Sequence, residues 1–301
     1  MTMFYSLSNG NFRFNARDLL FDPCKTFDCG QCFHWDRGED GSYVGVVFGK
    51  ALKLLWDPED TGDVIIRDLS GRPIDRSFAE KLCAYLDLDH DYVEALSVLS
   101  SKDPVMKEAV ISASGIHLLR QDLFETAISF IISANNNIPR IKKCIGKLSE
   151  LFGKPIVSSN GRILGFAFPE PCALAAALPA ELREKVRVGY RAEYIVKTAG
   201  AFTDGSFSCD TVFGSREDEV RKMLAALPGV GPKVASCIML FAGLSREAFP
   251  VDVWVERLMK EFYGLDGMSR QAIEKHGRAY FGEYAGLAQQ LLFYYKRYLH
   301  S

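Results

Sequence analysis

Lys233 and Asp252, nineteen residues apart, are the two side chains of this sequence best placed to do covalent chemistry. Lys233 closes the run Leu227-Pro228-Gly229-Val230-Gly231-Pro232-Lys233. Proline and two glycines cannot continue a helix, so one helix stops at Leu227-Pro228. A second begins at Pro232, where the missing N–H is harmless and φ is preset for a helix. Between them Gly229, Val230 and Gly231 must form a tight hairpin with exposed backbone N–H groups. Such a turn, opening onto a helix N-terminus, suits a phosphate without needing positive side chains. An amine in the first turn of a helix feels the positive end of the dipole, which disfavours the ammonium form, and burial acts in the same direction. Both effects activate an amine for attack on carbon. The plainer reading is a surface lysine that merely touches phosphate.

Asp252 lies in Phe249-Pro250-Val251-Asp252-Val253-Trp254, after Gly243 ends the Lys233 helix. Ahead of an apolar run, an aspartate there reads as an N-cap whose carboxylate accepts backbone N–H bonds. The spacing lets the chain go up one helix and return, bringing Asp252 back towards Lys233. A cap without chemistry is the alternative on these residues alone.

The elements that must hold this pair occupy the rest of the chain. At 301 residues there is room for one large domain or two to three smaller ones. Hydrophobic residues at 48% and charged residues at 25% are ordinary for a globular protein. No stretch approaches the roughly 20 uninterrupted apolar residues of a membrane helix. The N-terminal MTMFYSLSNGNFRF lacks the basic-then-apolar pattern of a signal peptide. The expected location is the cytoplasm, or the nucleus where the source has one.

Residues 43–48, 51–56 and 63–67 read as strands separated by Gly, Asp and Pro turns, which predicts a small antiparallel sheet. From about residue 78 the period turns helical. Asp122 with Glu125 marks a helix start, Asn135-Asn136-Asn137 breaks that helix, and Ile138 to Leu151 reads as the next, ended by Gly153-Lys154-Pro155. Ser215 with Asp218 marks another start, running to Ala226, and Tyr284 to Tyr298 is amphipathic and aromatic-rich. Strands first and helices afterwards make the fold class α+β.

Eight cysteines without regular spacing fit a reducing compartment. Cys24, Cys29 and Cys32 have the spacing of plant-type iron–sulfur ligands, but only Cys83 could serve as a fourth, so no metal is expected. No cysteine follows Cys237, which denies the C-terminal third a four-cysteine cluster. The net charge of −2 is not the basic footprint usual for nucleic-acid binding, so charge must be segregated or phosphate must be held by backbone amides.

The hairpin followed by Val251-Asp252-Val253 resembles the helix-hairpin-helix, Gly/Pro…Asp superfamily of DNA glycosylases, in which a lysine after the hairpin marks bifunctional members. Four further segments narrow the resemblance to 8-oxoguanine DNA glycosylases: Gly30-Gln31-Cys32-Phe33-His34-Trp35, the stretch from Phe130 to Arg140, Val188-Gly189-Tyr190-Arg191-Ala192, and the stretch from Tyr284 to Phe293. Together they span nearly the whole chain in the expected order. The resemblance implies an N-terminal sheet domain of TBP-like form over residues 1–115 and a two-lobed helical glycosylase domain over 116–301, its helix-hairpin-helix at about 216–243.

It also implies roles. Lys233 would attack the sugar C1′ with Asp252 stabilising the developing charge, and the resulting Schiff base would permit β-elimination. The Gly30 carbonyl would read the N7 proton that separates oxidised guanine from guanine, because guanine would set an acceptor against an acceptor. Gln289 would bond the Watson–Crick edge of the extruded base, and Phe293 and Cys237 would sandwich its faces. Asn135, Arg140 and Arg191 would hold the orphaned cytosine, and Tyr190 would wedge into the gap in the stack. No metal or organic cofactor is implied. The partner would be duplex DNA containing oxidised guanine, bound by a monomer without membrane association. Animal and yeast members carry a histidine two residues after the catalytic aspartate, contacting phosphate; here the position is Trp254. Two other readings remain at this point: a glycosylase for a different damaged base, and a non-catalytic helix-hairpin-helix DNA-binding protein.

Overall fold

The computed structural model describes residues 4–57 and 61–299; Met1–Met3, where the N-terminal segment begins, lie outside them. Six antiparallel strands form one sheet: Ser6–Ser8, Asn11–Asn15, Trp35–Arg37, Tyr43–Val47, Lys50–Trp56 and Asp63–Asp68. Across the sheet they run first, second, sixth, fifth, fourth, third. Three of these were read from the sequence; Ser6–Ser8, Asn11–Asn15 and Trp35–Arg37 were not. Two hairpins are closed by two-residue turns with both residues at positive φ, Asn9-Gly10 and Phe48-Gly49. This mirror-image turn matches the right-handed twist of the strands.

Alternation makes the sheet one-sided. Phe12 and Phe14 point inward opposite Ile66 and Val64, and Leu52 and Leu54 join them from the next strand. The helix Arg76–Tyr85 covers that face with Phe78, Ala79, Leu82 and Tyr85. A second core, formed by the helices, runs from Tyr92 to Phe293. The loop between Asp28 and Trp35 serves both. Cys29 and Phe33 are buried in the helical core, while Cys32 and Trp35 are buried in the sheet core. Gly30 therefore lies at the seam.

Capping residues set the helix starts. Asp75, Asp91, Asp103 and Asp122 each accept a backbone N–H from the third residue onward, and Asn137 does so for Ile138–Phe152. Each cap contributes about 1 kcal/mol. The helix predicted to begin at Ser215 begins instead at Glu217 and ends at Ala225. Ser215 closes the preceding short helix, its N–H bonded to the Val212 carbonyl, and Arg216 occupies the cap with its N–H on the Glu219 carboxylate. A small hairpin, Pro155–Val157 with Ile163–Phe166, interrupts the helices, so strands are not confined to the first part of the chain. Among the described residues no helix is long and apolar enough to cross a membrane.

Asp87 joins the two cores. It is fully buried and receives both guanidinium nitrogens of Arg246 at 2.8 and 2.6 Å, one from Arg120 at 2.5 Å, and the Tyr92 hydroxyl at 2.8 Å. Burial alone would raise its carboxyl, but the Arg246 bonds and the charges of Arg246 and Arg120 outweigh that and hold it below the ordinary carboxylate value. Stability from a depressed carboxylate is present above its unfolded pKa of about 3.9 and is lost as pH falls through the lower folded value. Thermal melts of the wild type should thus weaken steeply in acid, below about pH 4. Asp87→Asn should be destabilised at neutral pH by about 3–5 kcal/mol, since two arginines lose their anion, and its melting temperature should depend less on acid than that of the wild type.

Candidate active site

The hairpin forms where the sequence places it. The helix Glu217–Ala225 ends before Pro228, and Pro232–Phe241 begins at the second proline. Its two glycines are not equivalent. Gly229 has φ +83, and a Cβ there would come within 2.8 Å of the Tyr194 ring, so no other residue fits. Gly231 has φ −84 and open space where a Cβ would stand. As the helix N-cap it supplies no side chain, which leaves the first N–H groups of the helix without an internal acceptor. The Val230 N–H is committed to the Leu227 carbonyl and its side chain is buried, so Val230 shapes the turn while Gly231 and the helix start offer the donors.

Lys233 is half-buried, its amine 5.5 Å above the Phe130 ring. Phe130 is fixed by stacking on Phe241 at 5.2 Å and by an edge contact with Phe33 at 5.7 Å. One turn further along the helix, the buried Cys237 thiol lies beside the same amine. Burial raises the thiol's pKa, the neighbouring Lys233 ammonium opposes that rise, and the nearby Asp252 carboxylate reinforces it. Asp252 caps Val253–Tyr263 as expected, with Oδ1 accepting from Trp254 N and Val255 N, both at 2.9 Å. The Cys237 thiol thus lies within electrostatic reach of both Lys233 and Asp252. Among the described residues no ion pair joins Lys233 to Asp252.

The helix Ala285–Leu299 forms the opposite wall. Gly286 lets it approach the Lys233 helix, since a Cβ there would fall 2.3 Å from Leu240 Cδ1. Gln289 and Phe293, one turn apart, are both buried. The Gln289 Oε1 atom has no hydrogen-bond partner. A buried amide left unpaired costs about 1–3 kcal/mol, which is tolerated where a ligand completes it. Gly30, with φ +85, faces this wall: a Cβ would meet Ile138 at 3.0 Å and Phe293 at 3.9 Å.

Gln31 holds the Gly30 loop, a part that the sequence segment contained without disclosing. Its amide donates to the Thr26 and His117 carbonyls, both at 2.8 Å, and accepts from Leu119 N at 2.9 Å. Gln121 in turn donates to the Gln31 carbonyl at 2.7 Å. Gln290 donates to the Cys29 thiol at 3.5 Å. The Cys29 and Cys32 thiols donate to the Thr26 and Phe27 carbonyls. Burial pushes the Cys29 thiol up to about 12. Among the described residues no three His, Cys, Asp or Glu side chains converge as a metal site.

A second group lies on the surface. Asn135 adopts φ +50 just past the helix Leu123–Ser133, and Tyr190 is 57% exposed. Arg191 is only 5% exposed. Its guanidinium donates to the carbonyls of Ala134, Asn135 and Val188 and stacks 4.5 Å from the Tyr190 ring. It therefore holds the Asn135 turn and the Tyr190 ring together, with one Nη1–H outside these bonds. Arg140 is exposed and donates to the Arg187 carbonyl at 3.4 Å. Trp254 is half-buried, with the Arg257 guanidinium 5.8 Å over its ring.

Known proteins resemble this chain over nearly its whole length. The family model for the 8-oxoguanine DNA glycosylase N-terminal domain matches residues 12–127, and that for HhH-GPD superfamily base excision DNA repair proteins matches residues 128–282. N-glycosylase/DNA lyase OGG1 of Arabidopsis thaliana is 34% identical over 282 residues, covering 89% of this chain and 75% of that protein. The Clostridium acetobutylicum 8-oxoguanine glycosylase/lyase, solved with duplex DNA bearing cytosine opposite 8-oxoG, superposes with a TM-score of 0.88 at 37% identity, covering 98% of each chain. MBOgg1 in complex with a low-affinity DNA ligand gives a TM-score of 0.89 at 35% identity, covering 98% of this chain and 99% of that one. A 3-methyladenine DNA glycosylase from Archaeoglobus fulgidus shares the fold, with a TM-score of 0.68 at 19% identity. The hairpin, the lysine at its exit and the capping aspartate thus stand in a chain that belongs to the 8-oxoguanine DNA glycosylase family of the HhH-GPD superfamily.

Proposed function

We propose that this protein excises 8-oxoguanine from duplex DNA, with cytosine the preferred opposite base, and then nicks the strand as an AP lyase. The observation that carries the reading is Lys233 at the exit of the hairpin against the Cys237 thiol, which the charge of the capping Asp252 also reaches. The Lys233 lone pair attacks C1′ as the glycosidic electrons leave with the base, which takes up a proton. Asp252 has Oδ1 saturated by two N–H donors, which leaves Oδ2 for the positive charge that develops on the sugar. Opening of the sugar gives an imine between Lys233 and C1′. The imine acidifies the C2′ proton; its removal expels the 3′ phosphate by β-elimination.

Selection falls to the pocket between the Gly30 loop and the Ala285–Leu299 helix. A carbonyl at Gly30 pairs with the N7–H of oxidised guanine and leaves unmodified guanine with two facing acceptors. The unpaired Gln289 amide oxygen supports a partner with donors on its Watson–Crick edge. Phe293 and Cys237 supply apolar surface for the faces of the extruded base. Opposite the lesion, Tyr190 fills the vacated stack, and Asn135, Arg140 and Arg191 take the cytosine. Backbone donors at Gly231 and the helix start take a phosphate. Domains divide at about residue 115 in this reading, the chain acts as a monomer, and it works where DNA is, in nucleoid or nucleus.

Borohydride trapping on duplexes carrying 8-oxoguanine, alkylated purines or oxidised pyrimidines tests the assignment: adduct should form fastest with 8-oxoguanine opposite cytosine, and a preference for another lesion would overturn it. Asp252→Asn should slow single-turnover base release by on the order of 100-fold. The hairpin glycines separate by readout. Gly229→Ala should lower thermal stability by about 1–3 kcal/mol through strain, whereas Gly231→Ala should melt like the wild type and bind duplex more weakly.

A further inference from the structure

With a net charge of −2, a chain that grips DNA must gather its cations. On the helix Ile138–Phe152 (the helix that Asn137 caps), Arg140, Lys143 and Lys147 fall three and four residues apart and share one face. The neighbouring Lys142 points elsewhere, donating to the Trp35 carbonyl at 2.6 Å. Opposite the shared face, the wide turn Leu182–Val186 ends at Arg187, whose φ is +64, and presents Lys185 and Arg187. These five cations line one open groove of about 730 Å³. Glu150, the acid among its lining residues, is paired with Lys147 at 2.9 Å. Lys185 is paired with Glu181 at 2.6 Å. Arg140, Lys143 and Arg187 have no acidic partner among the described residues. The buried Cys144 thiol at the floor feels the cations, since Arg140, Arg191 and Lys143 oppose the rise that burial imposes on it.

The groove is continuous with the Tyr190 turn, because Arg140 bridges to the Arg187 carbonyl and Arg187 stands three residues before Tyr190. Its row of cations extends about 10 Å along the helix axis, enough for about three phosphates of one strand at ~3.4 Å axial rise. We propose that this groove carries the phosphate backbone of the undamaged strand, beside the cytosine that faces the lesion; the assignment rests on the glycosylase reading above. Phosphate contacts carry no sequence information. The groove therefore contributes grip and orientation while leaving lesion choice to the pocket.

Binding of the full-length protein to 8-oxoguanine·cytosine and undamaged duplexes, measured across salt concentration, tests this. In the double variant Lys143→Ala/Lys147→Ala the slope of log K against log salt should shrink by about 2, equally for both duplexes. Lys107→Ala, an exposed lysine on Pro104–Ala113, should leave the slope unchanged. Neutral methylphosphonate linkages in the undamaged strand should erase the difference between wild type and double variant, and the same linkages in the lesion strand should preserve it. An unaltered slope, a loss confined to the lesion duplex, or erasure only by lesion-strand linkages would overturn the proposal. The double Lys→Gln variant replaces the alanine pair where the latter melts early. Failure of the wild type to release 8-oxoguanine, with the slope still falling by about 2, would overturn the glycosylase reading and leave the groove as a duplex-phosphate track.

Discussion

An amine that is to attack carbon cannot be locked in an ion pair with the carboxylate meant to assist it. In this fold each group is held by something other than its partner. Asp252 is anchored by two N–H donors of the helix it caps. Lys233 stands over the Phe130 ring and beside the Cys237 thiol. Both groups sit at helix starts, and neighbouring elements set where those starts lie. The Gly229 turn aims one helix, and the passage through Arg246 to Pro250 aims the other. Arg246 is fixed to Asp87 across the boundary between the cores.

The same economy of placement governs the pocket. Gly30 can face Phe293 because it lies on a loop whose flanking residues are buried in two different cores, and because Gln31 satisfies its whole amide against neighbouring backbone. A loop fixed on both sides can present a bare carbonyl with little freedom to adapt. In the function proposed above, that rigidity would turn a single proton on a base into a selective feature, since the unfavourable pairing could not relax away. Across the pocket, Gln289 is buried with an unpaired oxygen while the adjacent Gln290 is bonded to Cys29. The contrast separates a side chain bonded within the wall from one whose oxygen is left open, the one that the proposed function assigns to the base.

Punctuation residues made much of this legible in the sequence. Proline, glycine and capping aspartate act locally, so the hairpin, the Asp122 helix start, the break at Asn135-Asn136-Asn137 and the Asp252 cap could be read from neighbours alone. The two edge strands, each three residues long, and the Asn11–Asn15 strand beside the first could not, although Asn9-Gly10 carried the hairpin signal. Ser215 read as a cap, but the short helix Cys209–Gly214 ends on it, which moves the next start on to Glu217. Long-range hydrogen bonding was invisible for the opposite reason. Nothing near Gln31, Arg191 or Asp87 in sequence foretells partners about 60 to 160 residues away. The segment containing Arg191 was recognised, but its burial beneath Tyr190 emerged only from the fold.

The most direct measurement is single-turnover release of 8-oxoguanine by Lys233→Gln, with the variant's fold and duplex affinity verified alongside. Glutamine keeps the length of the side chain without a nucleophilic amine, so release should collapse while binding persists. Release at the wild-type rate from the folded, DNA-bound variant would contradict attack by Lys233 and with it the covalent mechanism.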